Sequence, residues 1–261
     1  MHTEQQQIGV VVGGGNGIGE ACSQLMVTRG WKVVVADFDG EAAKRVASEI
    51  GAHGYQVDVR DRAAVEDLAK VVERDIGPVH SLIVPAAVVQ NRYKPDEFPM
   101  EEYRNILVVN IEGTFNCCTA FAAGMCERKK GSIVNVGSST NYCGQPLHAY
   151  GPSKAAVVNL TRSLAGQWGR SGVRVNSVSP GLTLVKRVLA RPPGRYAGNV
   201  NDHFALGRRV EPSEVAEAIE FLASDRAAAI TGIDLLVDAG LLAANGWGLY
   251  GGVPGTPGSL A

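Results

Sequence analysis

In the stretch "HAYGPSKAAVVNL" the phenol of Tyr150 and the ammonium of Lys154 stand four positions apart. In a helix, residues at that spacing project from one face. A phenol ionises near pH ~10, too high for a base at neutrality. A close ammonium favours the phenolate and brings that pKa down. Lowering it by ~3 units takes about 4 kcal/mol, within reach of one cation in a partly desolvated pocket. A pair tuned this way can take up or return a proton near neutrality as a general acid/base. Standing alone, Y-x-x-x-K is common by chance, and a Tyr packed on a Lys stem is the plainer reading. Other parts of the chain decide.

A second chemical signal lies near the N-terminus. "VVVGGGNGIGEACSQL" sets Gly13, Gly17 and Gly19 between an apolar run and a helix-like segment. Glycines permit a tight turn and let backbone N–H groups approach a pyrophosphate, and the helix that follows turns its positive dipole end toward it. The next apolar run ends in Asp37, 18 residues after Gly19. That offset suits an acid that hydrogen-bonds an adenosine ribose. Asp58, in "YQVDVRD", is equally suited to bond an adenine amino group or to cap a turn.

These residues need a frame. "IGVVVG" (8–13), "KVVVAD" (32–37), "SLIVPA" (81–86), "SIVNVG" (132–137), "VRVNSVS" (173–179) and "IDLLVD" (233–238) read as buried strands, rich in Val and Ile. Segments apolar at i, i+3 and i+4 lie between them. Strand and helix in alternation predict an α/β fold: a doubly wound, Rossmann-type parallel sheet in a single domain. The domain is expected over 1–243, with 244–261 as a Gly/Pro-rich tail. Two stretches break the rhythm, residues 88–99 and 182–210. Both follow strand carboxyl ends, where open α/β sheets bind ligands, and the longer has the length of a substrate loop. It holds Arg187, Arg191, Arg195, Tyr196, His203 and Phe204.

Composition narrows the class. The chain has 261 residues, is 45% hydrophobic and carries a formal net charge of -1, which gives no electrostatic reason to expect nucleic acid or a membrane surface as partner. No apolar run approaches the ~20 residues that span a bilayer. Five cysteines without a C-x-x-C pair, and histidines without ligand spacing, point to no metal and to a reducing, cytoplasmic setting.

Taken together, these motifs resemble the short-chain dehydrogenase/reductase family over about residues 8–240. The carriers are Gly13 to Gly19, Asn110 in "ILVVNIEG", Ser138 in "NVGSS", Tyr150 with Lys154, and Pro180-Gly181 after the next strand. The resemblance implies an NAD-dependent enzyme that interconverts a secondary alcohol and a ketone. It makes Tyr150 the acid/base, Lys154 its tuner and ribose clamp, Ser138 the group that orients the substrate oxygen, and Asn110 the holder of a relay water. Cofactor contacts are implied for Gly13, Asn16, Gly17, Ile18 and Gly19, then for Asp37, Phe38, Asp58 and Val59. Ala86, Pro180, Gly181 and Thr183 complete that wall. His148 is expected to line the substrate mouth with Ser138 and Tyr150, and Trp247 and Tyr250 to reach it from the tail. A catalytically silent NAD-binding member is the alternative.

The sequence departs from the family pattern at four places. Val12 replaces a Thr before the first loop glycine. Val84-Pro85-Ala86-Ala87 replaces Asn-Asn-Ala-Gly, and at Pro85, which lacks an N–H, the fourth strand must end or sit unpaired. The interval from Ser138 to Tyr150 is one residue short, which leaves Ser139 as an alternative to Ser138. Val185 stands where a Thr is usual, with Thr183 as the replacement contact. Finally, "VVNIEGTFNCCTAFAAGM" and "AAVVNLTRSLAGQW" are apolar or small nearly all round, too much for helices with a wet face, so a homo-oligomer is expected. The resemblance makes it a homotetramer.

Overall fold

The computed structural model describes residues 6–189, 199–256 and 259. Seven parallel strands form one sheet: β1 (Ile8–Val12), β2 (Lys32–Asp37), β3 (His53–Gln56), β4 (Val79–Val84), β5 (Gly131–Val136), β6 (Val173–Pro180) and β7 (Asp234–Val237). Their spatial order is β3-β2-β1-β4-β5-β6-β7. The chain reverses direction across the sheet between β1 and β4, which opens a crevice at their carboxyl ends.

Helices cover both faces. On one side lie α1 (Gly17–Thr28), α2 (Gly40–Ile50) and α8 (Pro212–Ala223); on the other, α3 (Arg62–Asp75), α4 (Met100–Leu107), α5 (Gly113–Glu127) and α6 (Tyr150–Trp168). This is why the central strands read as unbroken apolar runs: every residue of β1 is buried, as both faces are covered. Local signals set the helix starts. The Asp39 side chain accepts the N–H groups of Glu41 and Ala42, and Asp61 accepts that of Ala64. At α8, Pro212 opens the first turn and Glu214 accepts the Glu211 N–H at 2.9 Å.

Helices α4 and α5 are one continuous run joined by a π-turn, Val108–Glu112, with Asn110 at its centre. This run, Met100–Glu127, is long and apolar enough by composition to cross a membrane, a length that counting unbroken apolar residues misses. Its apolar side instead packs into the protein, with Ile106, Cys117, Phe121 and Met125 buried in the core. Among the described residues of the expected substrate loop, its two ends are joined at the base. Thr183 bridges to Val210 and the Leu184 N–H bonds the Val210 carbonyl at 2.9 Å, which closes its base. Within it lie α7 (Lys186–Leu189) and a short turn at Val200–His203.

Candidate active site

The glycine loop is shaped by close backbone approach. The Gly13 and Gly14 N–H groups both bond the Ala36 carbonyl, at 2.7 and 3.0 Å. Gly13 sits at φ +97°, and a Cβ there would lie 2.5 Å from the Ala86 nitrogen. A Cβ on Gly19 would lie 2.0 Å from the Gly13 carbonyl oxygen, so neither position admits a larger residue. The Val12 carbonyl accepts the Ala86 N–H at 3.0 Å, a backbone bond that does not depend on the side chain at this position. β4 ends at Val84, immediately before Pro85, as its missing N–H requires.

The Asp37 carboxylate is fixed at both oxygens. Oδ2 accepts the Gly15 N–H at 2.9 Å and Oδ1 that of Asp39 at 3.0 Å. Two cations approach this end of the cleft. Arg60 lies over the Phe38 ring at 5.6 Å and pairs with Asp58 at 2.6 Å, holding the Asp58 carboxyl below its usual range. Arg45, which sequence reading missed, donates to the Gly15 carbonyl at 3.0 Å while pairing with Glu20 and Glu49. It lies 30 positions from Gly15, and only the packing of α2 beside the loop joins them.

On the other side of the crevice, Tyr150 is the first residue of α6. Lys154 is 2% exposed, donates to the Val136 carbonyl at 2.6 Å, and lies 5.9 Å from the Tyr150 ring centre. Lysine is hardly ever buried so deeply without a role or a partner. Ser138 follows β5 and its Oγ accepts the Thr140 N–H at 3.3 Å. Ser138 and Ser139 both line the cavity, so the short interval before Tyr150 leaves either hydroxyl on its wall. Asn110 is fully buried: its side chain accepts the Val88 N–H at 2.9 Å and donates to the Val88 carbonyl and to Ser153 Oγ. Its side chain therefore clasps the segment after β4.

These groups surround one cavity of about 1020 Å³, large enough for a dinucleotide with a small substrate. Gly13, Asn16, Gly17, Ile18 and Gly19 line it, as do Asp37, Phe38, Asp58 and Val59. So do Ala86, Pro180, Gly181 and Thr183. From the substrate loop, His203 and Phe204 reach the wall, whereas Arg191, Arg195, Tyr196 and the Arg187 side chain lie outside the described residues. Three residues expected at the substrate mouth lie off this wall. His148 is exposed and outside the wall; Gln145, Pro146 and Leu147 line it, because the chain turns into α6 just after them. Trp247 and Tyr250 are 48% and 82% exposed and also lie off the wall, where the tail turns away after Leu241. Besides Arg45, sequence reading missed Gln90, whose buried side chain bonds the start of α6.

The seven-stranded parallel sheet and the cleft at its switch point have a Rossmann-type architecture, and sequence similarity gives the class. The family described as "Enoyl-(Acyl carrier protein) reductase" matches residues 12–242. The chain belongs to the short-chain dehydrogenase/reductase family. Among its relatives is a meso-2,3-butanediol dehydrogenase of Serratia marcescens, 38% identical over 91% of this chain and 95% of that one. A D-threitol dehydrogenase of Mycolicibacterium smegmatis is 34% identical over 90% and 92%. A crystal structure named ribose-5-phosphate isomerase, from Brucella melitensis 16M, is 45% identical over 96% and 97%, with a TM-score of 0.92.

Proposed function

We propose that this chain is an NAD(H)-dependent dehydrogenase that interconverts a secondary alcohol and a ketone, with a small diol or polyol as substrate. The observation that carries it is the buried Lys154 ammonium beside Tyr150, in one cavity with the glycine loop and Asp37. The residues fit a dinucleotide: Gly13 and Gly19 leave the room its phosphates need, and Asp37 offers a fixed carboxylate to ribose hydroxyls. When bound, NAD supplies the hydride acceptor. Tyr150, as phenolate, takes the hydroxyl proton, and Lys154 holds that phenolate charged. Ser138, or Ser139 in its place, orients the substrate oxygen. Asn110 keeps the cleft wall at Val88 in register, and by family resemblance holds a relay water. The diol class rests on the two dehydrogenases named above.

The isomerase name carried by one related structure favours a second reading. An aldose–ketose isomerisation leaves oxidation state unchanged and has no use for a dinucleotide cleft. Turnover of ribose 5-phosphate without NAD would establish it; NAD reduction with 2,3-butanediol or threitol would establish ours. In the latter assay Tyr150→Phe keeps the ring and removes the acid/base, so turnover falls at least ~100-fold with NAD affinity within a few-fold of wild type. Near-normal turnover would overturn the assignment.

The protein is further proposed to be a homotetramer packed through α5 and α6. Phe115, Ala123 and Ala155 are exposed on their outer faces, where a second copy would cover them. A cytoplasmic setting agrees with five free cysteines.

A further inference from the structure

We infer that Gln90 is a positioning residue for the Tyr150 acid/base. The inference rests on the dehydrogenase reading above. The first N–H groups of a helix have no partner within it. At α6 they belong to the residue that does the chemistry and the one before it. The cap residue, Ala149, has no side chain able to accept them, and an oxygen comes instead from 60 positions away: Gln90 Oε1 accepts the Tyr150 N–H at 3.0 Å and the Ala149 N–H at 2.7 Å. Gln90 is 1% exposed, so its amide has given up bulk water for this contact.

The opposite side of the Tyr150 peptide is held as well. Ser153 Oγ donates to the Tyr150 carbonyl at 2.7 Å and accepts from Asn110 Nδ2 at 2.9 Å. Asn110 in turn grips Val88, two residues before Gln90. Tyr150 is thus fixed at its N–H and its C=O by a circuit running through the segment after β4. The amide orientation follows from the chemistry, since only the oxygen of Gln90 can accept two N–H groups. That leaves Nε2 buried without a hydrogen-bond partner among the described residues, a cost of ~1–3 kcal/mol unless a water takes it. An apolar side chain would avoid that cost, so the residue type serves the two bonds that Oε1 makes. General-base transfer needs the phenolic oxygen within hydrogen-bond reach of the substrate, and a displacement of ~1 Å costs on the order of 100-fold.

Gln90→Leu removes the acceptor at similar volume; Gln90→Glu keeps it and adds a carboxylate that disfavours the phenolate. Kinetics with 2,3-butanediol and NAD, thermal midpoints, and hydrogen exchange of the peptide amides of Ala149 and Tyr150 read the outcome. We expect Gln90→Leu to lower kcat at least ~10-fold with the KM for NAD within about 3-fold, and to speed exchange of the two amides at least ~10-fold. Gln90→Glu should restore most of kcat above neutrality, with the pKa of its pH profile moved upward. If Gln90→Leu lowers only the thermal midpoint while kcat stays within 3-fold, the inference is overturned. Wild-type protein inert toward 2,3-butanediol and threitol would sink the dehydrogenase reading instead, and unchanged amide exchange in Gln90→Leu would still refute the clamp.

Discussion

The choice between NAD and NADP turns on Asp37. Its carboxylate cannot swing aside, because Gly15 and Asp39 hold its two oxygens through backbone N–H groups. A 2′-phosphate would bring about two negative charges to the ribose edge that this carboxylate is proposed to bind. At a separation of about 5 Å the repulsion is ~1.7 kcal/mol in bulk water and ~7 kcal/mol at an effective dielectric constant of about 20. Asp37 is half-buried, which places the penalty between these limits. The two nearby guanidiniums do not cancel it as they stand. Arg45 is shared by Glu20 and Glu49, and Arg60 is taken by Asp58. Recruiting either would break an existing pair. We therefore expect kcat/KM with NAD to exceed that with NADP by at least ~100-fold, about 2.7 kcal/mol. Initial rates with one alcohol and both cofactors measure it. Asp37→Ser with Phe38→Arg, which removes the charge and supplies a cation, should erase or reverse the preference. Equal efficiency in the wild-type protein would refute the reasoning.

Two further outcomes follow from the same structure. The imidazole of His80 accepts the Ile8 N–H through Nδ1 at 3.0 Å, and burial, with Lys130 and Arg128 nearby, lowers its pKa. The unfolded chain then binds the proton first, so stability is lost as pH falls below about 6.5. The thermal midpoint should drop between pH 7 and 5, and His80→Asn, whose Oδ1 can replace Nδ1, should flatten that slope; an unchanged slope removes His80 from the account. Sedimentation at micromolar concentration should show a species several times the 27.5 kDa chain, and a monomer would contradict the proposed packing through α5 and α6.

Much of this protein is legible in its sequence because the decisive patterns are local. Gly13, Gly17 and Gly19 follow a buried strand and open a helix, so the turn and its backbone approach are written within seven residues. Tyr150 and Lys154 share a face because one helical turn separates them. Unbroken Val and Ile runs report strands covered on both sides. Pro85 announces the end of β4 by lacking an N–H. What only the tertiary structure decided are meetings between distant residues. Gln90 caps Tyr150, Arg45 holds the Gly15 carbonyl, and Arg60 covers Phe38, and none of these pairs has a spacing that a periodicity would register. The π-turn at Asn110 is equally silent in the sequence, since its residues fit an ordinary helix and only their packing selects the wider turn. The same limit explains His148: standing two positions before the proposed acid/base says nothing of direction when the chain turns into a helix between them. Sequence spacing carries geometry only within one regular element, and the partners that hold those elements together are fixed when the sheet brings their ends to a common edge.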